Sequence, residues 1–400
     1  MDLAAFRALL TPAGQALLAR AAELYDATGG DALRTVTLLR KQPGVDADVA
    51  SAALTQVELR RRAVAKLGED AMRMYFTPDG LEQATRRRVA EHRAARVAMA
   101  DPGAVLDIGC GIGGDLVAFA RAGLTAAGID RDELRVEVAR ANLDALGLGG
   151  AVQVAEAESL DTSGFGLVFA DPARRTSAGR VFDVDGWSPP WTFVEALLRR
   201  PSCVKVAPGI PHALVPEGVE AEFVSEEGEV KEASLWSPAL ATVRRRATVI
   251  RASGLATITD EDDPGEQHLR PVGRFLYEPD GAVIRAGLVT AVAAGVHGGL
   301  LDPHIAYVTS DESFTTPFAR SYEVLAELPF KEKQLKAALR QRGIGKVTIK
   351  KRGVDVVPEE LRKRLSLVGD DEATLVMTRV NGEATTLLVR PFGPANATER

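Results

Sequence analysis

The chain has 400 residues, 46% of them apolar, and a formal net charge of −6. That length and apolar content suffice for two or three domains with their own cores. Two cysteines, Cys110 and Cys203, exclude a disulfide framework and a CxxC zinc pair, and their scarcity fits a reducing cytoplasm.

Met1-Asp2-Leu3-Ala4-Ala5-Phe6-Arg7 carries an acid at its second position and no long apolar core, so no secretory signal is expected. Residues 1 to about 100 are rich in Ala, Leu and Arg, and segments 31–41 and 46–66 have helical spacing, which predicts a helical N-terminal domain over 1–100. Thr77 is a good N-cap with Pro78 at the first helical position. The helix it starts is expected to run to about Met99, where Asp101-Pro102-Gly103 stops it. Arg86, Arg87, Arg88, Arg93 and Arg96 wrap around that helix, so at least some of them only solvate it.

The most informative stretch follows: Asp107-Ile108-Gly109-Cys110-Gly111-Ile112-Gly113-Gly114-Asp115, between an apolar run and a helix-like segment. A strand ending at Asp107, glycines that let the backbone approach a ligand, and a helix N-terminus make a nucleotide-cofactor loop. The spacing Gly109-x-Gly111-x-x-Gly114 also fits a dinucleotide fingerprint. Asp107 argues against NAD, because its carboxylate would meet a pyrophosphate, whereas it attracts the cationic methionine end of S-adenosylmethionine (SAM). Residues 124–129 read as a second strand ending at Asp130, placed to accept both ribose hydroxyls. After a helix at 133–146 and a strand at 152–155 comes Glu158, the expected contact to the adenine edge, with Glu156 as the fallback. Residues 165–170 form a fourth apolar run ending at Asp171. Four βα units imply a parallel sheet, with these acids at the carboxyl ends of its strands. The predicted cofactor contacts are Asp107, Gly109, Cys110, Gly111, Gly113, Asp130 and Glu158.

The core that carries this cofactor loop is expected over 101–250. The acidic loop Asp260-Glu261-Asp262-Asp263-Pro264-Gly265 marks a boundary. A connecting α/β segment over 251–325 and a basic domain over 326–400 are expected beyond it. The apolar run 286–301, broken by Thr290 and His297, falls short of the roughly 20 residues that cross a bilayer. It reads as a buried helix with a glycine-rich end, and no membrane partner is expected. Strands are predicted at 346–351, 373–380 and 385–389, with an Asn381-Gly382 hairpin turn and a frayed tail at 394–400. Between 331 and 364 stand twelve Lys or Arg against four Asp or Glu, a local excess of eight positive charges that leaves −14 elsewhere. This asymmetry suggests a surface facing a polyanion, with Lys346, Lys350, Lys351 and Arg352 as phosphate contacts. An ordinary basic edge strand is the alternative.

Several stretches carry a family resemblance: Phe76-Thr77-Pro78-Asp79-Gly80-Leu81-Glu82-Gln83-Ala84-Thr85, the loop 107–115, Asp171-Pro172-Ala173-Arg174-Arg175, Val204-Lys205-Val206-Ala207-Pro208-Gly209, Glu232-Ala233-Ser234-Leu235-Trp236, and Ile344-Gly345-Lys346-Val347-Thr348-Ile349-Lys350-Lys351-Arg352-Gly353. With them the chain resembles the class I SAM-dependent methyltransferases, and more narrowly the bacterial family with a C-terminal THUMP-like domain. The resemblance implies an α/β fold: a Rossmann-like class I sheet, a helical N-terminal domain and a small mixed α/β THUMP-like C-terminal domain. It implies RNA as the substrate by analogy with RNA-binding THUMP modules.

Methyl transfer from a sulfonium is an in-line displacement, so the enzyme chiefly aligns and desolvates the acceptor. Asp171 is placed to accept a hydrogen bond from an exocyclic amine. Its other reading is a cap of the next turn. Related amine-methylating enzymes carry Asp/Asn/Ser-Pro-Pro-aromatic here, and Ala173-Arg174 departs from that pattern. Stacking on a base is therefore expected from Arg174 or from elsewhere, with Arg175, Trp187, Trp191 and Phe182 as further pocket candidates. Ser188-Pro189-Pro190-Trp191 spells the amine-methylase motif but reads as a helix start. No histidine falls in a metal-ligand spacing, and no metal is expected. Two other readings stay open: a methyltransferase for a protein or small metabolite, and a non-catalytic SAM-binding RNA-interaction protein.

Overall fold

The structure, a computed structural model, describes residues 1–174, 187–188 and 190–393. It divides into two units: Met1–Val206 with Ile210–Val219 and Ser234–Ala241, and Ala207–Gly209 with Glu220–Ala233 and Thr242–Arg400.

The first unit opens with four helices, α1 (Leu3–Leu10), α2 (Pro12–Ala27), α3 (Ala32–Arg40) and α4 (Ala47–Leu67). Each starts where an oxygen-bearing side chain, Asp2, Thr11, Asp31 or Asp46, accepts a backbone N–H of the first turn. Phe6, Leu9 and Leu39 are fully buried between them, and each such side chain stabilises the fold by about 1.5–3 kcal/mol. Two buried amides tie in the extended segment that follows. Gln56 of α4 exchanges hydrogen bonds with Phe76 (Nε2 to O 2.7 Å, N to Oε1 2.9 Å). Asn142 accepts from Tyr75 N at 2.6 Å and donates to Tyr75 O and Ile112 O at 3.1 and 2.8 Å.

The single helix expected from Thr77 to Met99 is two, α5 (Pro78–Gln83) and α6 (Arg87–Met99). Thr77 caps α5 as expected, but Ala84 turns extended (φ −54°, ψ 142°), and Arg86 begins the second helix. The break leaves Thr85 outside both helices, with consequences for the site.

A parallel sheet forms the centre of this unit, with β1 (Ala104–Ile108), β2 (Thr125–Asp130), β3 (Ala151–Val154) and β4 (Leu167–Ala170) joined through helices that include α7 (Gly114–Arg121) and α8 (Glu133–Leu146). The strand order is β3-β2-β1-β4, followed by strand Ser202–Val206. Connections run outward in both directions from β1, so the carboxyl ends of β1 and β4 flank a crevice. Val105, Leu106, Val168 and Phe169 are buried, which is why these strands read as continuous apolar runs.

In the second unit, Glu220–Glu226 pairs parallel with Arg245–Arg251, which pairs antiparallel with Gly254–Thr259. A seven-stranded sheet follows, in the order Gly299–Asp302, Ile305–Ser310, Phe275–Pro279, Ala319–Leu328, Glu383–Phe392, Asp371–Val380, Ile344–Lys351. Helices Glu332–Gln341 and Pro358–Leu365 bury Leu335, Leu339, Leu361 and Leu365 against Leu375, Met377 and Leu388 of one sheet face. The predicted hairpin is present: Val380 pairs with Glu383, and Asn381 and Gly382 both have positive φ (47° and 85°). The run 286–301 is not one helix. Helix Val289–Gly295 is followed by strand Gly299–Asp302, because Gly287 at φ 69° and His297 at φ 49° break the helical path on either side.

Candidate active site

The loop after β1 is built on left-handed backbone: Gly109, Gly111 and Gly113 have φ of 75°, 56° and 83°, conformations that cost any other residue steric strain. The amides of Gly109 and Cys110 both donate to Ile129 O (2.8 and 2.9 Å), folding the loop back over β2. The amide of Gly111 donates to Asp130 Oδ2 at 3.0 Å, and that of Asp132 to Oδ1 at 3.0 Å, so the carboxylate at the end of β2 is fixed in place.

These elements enclose a cavity of about 440 Å³, within the roughly 300–1,000 Å³ of small-molecule sites. Of the predicted cofactor contacts, Asp107, Gly109, Cys110, Gly111, Asp130 and Glu158 line it. Gly113 does not. It is the N-cap of α7, and a Cβ there would come within 3.2 Å of Ala139, so Gly114 takes its place in the lining. Glu156 lines the cavity beside Glu158.

Asp107 is 1% exposed, and its Oδ2 has no hydrogen-bond partner among the described residues. Burial pushes its carboxyl well above the usual range, and the charges of Asp115 and Asp171 add to the effect. A buried carboxylate oxygen left unsatisfied among further acids fits a cationic ligand group such as the ammonium of SAM. Burial also raises the Cys110 thiol well above its ordinary value, which disfavours a cysteine nucleophile here.

Asp171 stands just after β4, on the cavity wall. Its Oδ2 accepts from Lys205 Nζ at 2.6 Å, and Lys205 comes from the neighbouring strand Ser202–Val206. Lys205 also donates to Thr85 Oγ1 at 3.0 Å. Thr85 donates to Asp115 Oδ2 at 2.7 Å, and Asp115 pairs with Arg93, whose guanidinium lies 4.6 Å above the Phe169 ring. Arg93 is 1% exposed, so it is a core ion-pair partner. Arg96 likewise stacks on Trp236 at 4.1 Å. Sequence reasoning did not assign Thr85, Arg93, Asp115 or Lys205 to the site. Their one signal was that Thr85, Asp115 and Lys205 fall in family-like stretches.

The expected substrate contacts are dispersed. Arg174 pairs with Trp187 in a two-residue antiparallel ladder beyond Asp171. Arg175 and Phe182, like the tail 394–400, lie outside the described residues. Trp191 opens helix Trp191–Leu197 behind Pro190 and donates from Nε1 to Glu195 Oε1 at 3.0 Å, so the end of the predicted segment starts a helix, Pro189 lies outside the described residues, and Trp191 is not among the described residues that line the cavity. In the second unit the four phosphate candidates differ. Lys346 pairs with Glu372 at 2.9 Å on the surface, while Lys350 and Arg352 converge on Glu278 at 3.1 and 3.9 Å, over the rings of Tyr322 and Tyr307. Lys350 and Arg352 are thus committed to a carboxylate inside the fold. Lys351 is exposed and has no partner among the described residues. Among the described residues no cluster of three or more His, Cys, Asp or Glu is placed to hold a metal ion, and no helix is long and apolar enough to cross a membrane.

Three family models match the chain: a methyltransferase domain at residues 105–175, a THUMP domain-like module at 319–391, and a domain of unknown function at 2–63. An uncharacterized SAM-dependent methyltransferase of Mycobacterium tuberculosis (strain CDC 1551 / Oshkosh) is 38% identical over 335 residues, 80% of this chain and 90% of its own length. A protein of strain ATCC 25618 / H37Rv of the same species, of the same description, matches equally well. The crystal structure of a methyltransferase candidate from Porphyromonas gingivalis W83 superposes with a TM-score of 0.76 at 22% identity, covering 95% of this chain and 99% of that one. That likeness extends the shared fold to nearly the whole length. With a SAM-type cavity at the switch point of its sheet and a curated relative across four-fifths of its length, the chain belongs to the SAM-dependent methyltransferases.

Proposed function

We propose that the enzyme methylates a nitrogen, exocyclic or in the ring, of an RNA base, with the THUMP-like domain as the RNA handle. The observation that carries this reading is the presence, in one chain, of a SAM cavity and a THUMP domain-like module at 319–391. Its helices present Lys333 and Lys363, exposed and without partners among the described residues, beside exposed Arg340, Arg342, Arg362 and Arg364. Cations of this kind contact phosphates without reading sequence.

In the cavity, Asp107 would receive the ammonium, Asp130 the ribose hydroxyls, and Glu158 or Glu156 the adenine edge. Bound SAM supplies an electrophilic methyl group. The protein's part is to orient the acceptor: Asp171 Oδ1, which has no partner among the described residues, accepts from the base N–H and turns the nitrogen lone pair towards the cofactor.

The test is methyl-labelled SAM with extract from a strain lacking the gene, the product then divided between ribonuclease and protease. Ribonuclease-sensitive label is the expected result. Protease-sensitive label, or label confined to small molecules, would replace RNA by a protein or a metabolite.

A further inference from the structure

We propose that Lys205 is a positioning residue for methyl transfer, fixing the Asp171 carboxylate at the acceptor end of the cavity, and that Thr85 in turn fixes Lys205. The backbone holds Asp171 loosely: its N–H reaches Ile108 O at 3.4 Å, and its side chain is 36% exposed. Lys205, with a side chain 15% exposed, supplies the missing restraint at 2.6 Å. A charge-assisted contact of that length locks one carboxylate oxygen and leaves the other for the substrate.

Lys205 is anchored on the far side. Thr85 Oγ1 accepts from it and donates to Asp115, which the buried Arg93 holds. The path therefore runs from a core ion pair to the group that faces the acceptor. The stretch 76–85 carries Thr85 to the cavity wall. Thr77 caps α5, and a Cβ on Gly80 would meet Ile112 Cγ2 at 2.4 Å, so only glycine lets α5 sit on the cofactor loop. The helix then ends at Gln83, which frees Thr85 to turn inward. A lysine present only to offset the cavity's acids would need no hydroxyl to aim it.

The inference rests on Asp171 as the acceptor-orienting group, and a double-mutant cycle keeps the two ideas apart. Turnover is read as S-adenosylhomocysteine formed with heat-treated extract of a strain lacking the gene, so that every acceptor class is represented. SAM affinity is measured separately by calorimetry. Lys205→Met is expected to lower kcat by about a hundredfold while leaving SAM affinity within about threefold. Lys205→Arg should recover part of the rate. Asp171→Ala/Lys205→Met should be no slower than Asp171→Ala alone, because the lysine acts only through that carboxylate. Full turnover in Asp171→Ala would overturn the Asp171 reading itself. Loss in Asp171→Ala but not in Lys205→Met would overturn the role of Lys205 alone, as would additive losses or a collapse of SAM affinity in Lys205→Met. Wild-type protein inert on the extract would overturn both. If Lys205→Met does not fold, Thr85→Val against Thr85→Ser decides: slow against near-normal is expected, and equal rates contradict the relay.

Discussion

Lys205 and Asp171 form an ion pair of 2.6 Å across the carboxyl ends of two neighbouring parallel strands. Lys205 belongs to its strand and Asp171 follows the neighbouring strand by one residue, so the lysine side chain reaches the carboxylate from the sheet. It stands on the wall of the same cavity as the unpartnered carboxylate oxygen of Asp107. One cavity thus holds a site suited to a cationic cofactor group and a restrained carboxylate suited to an acceptor N–H.

Asp107 makes the free protein sensitive to pH. Burial raises its carboxyl in the folded state, so the stability tied to its neutral form is complete below the ordinary carboxylate range and is lost as pH rises through the raised value. Asp107→Asn should flatten that decline in Tm as pH rises above the ordinary carboxylate range, and it should abolish SAM binding by calorimetry. A variant that binds SAM normally would remove Asp107 from the cofactor site.

Asp171→Ala should leave SAM affinity unchanged and lower turnover by about a hundredfold or more, to a residual rate that can still be measured. Unchanged turnover would return Asp171 to a role as a turn cap.

Asn142 is the joint between the extended segment at Tyr75 and the cofactor loop at Ile112. Asn142→Ala leaves a buried N–H and two carbonyls unsatisfied, and a loss of about 3 kcal/mol in urea unfolding is expected. A loss below about 1 kcal/mol would mean that water replaces the amide.

Lys351→Glu and Lys363→Glu should weaken binding of bulk transfer RNA and lower the slope of log affinity against log salt by about one per lysine, with SAM affinity unchanged. Lys350→Met should instead destabilise the second unit, because it removes the nearer of the two cations that meet the largely buried Glu278. A salt slope that responds to Lys350 but not to Lys351 or Lys363 would place the polyanion surface elsewhere.

The centre of the sheet was legible because burial on both faces writes β1 and β4 as apolar runs, and because a cofactor loop demands glycine where φ is positive. Asp107, Asp130 and Asp171 stand at or beside the carboxyl ends of β1, β2 and β4, where the same pattern placed them, whereas Glu158 stands four residues past β3 in a short helical turn. Lys205 and Thr85 were not legible, since they lie 34 and 86 residues from Asp171 and meet it only through strand pairing and a helix break that no proline or glycine marks. Lys350 and Arg352 look like surface cations in sequence, and only their partner Glu278, 72 residues from Lys350, reveals the face they occupy. Arg93 is the same case on a helix, where composition suggested solvent and Asp115 holds it in the core.

The most direct measurement is transfer of labelled methyl from SAM to total RNA from a strain lacking the gene, beside RNA from its parent. Label entering only the deletion-strain RNA is the predicted result, since the parent's sites are already methylated. No label in either RNA, with SAM binding by the protein confirmed, would contradict an RNA substrate.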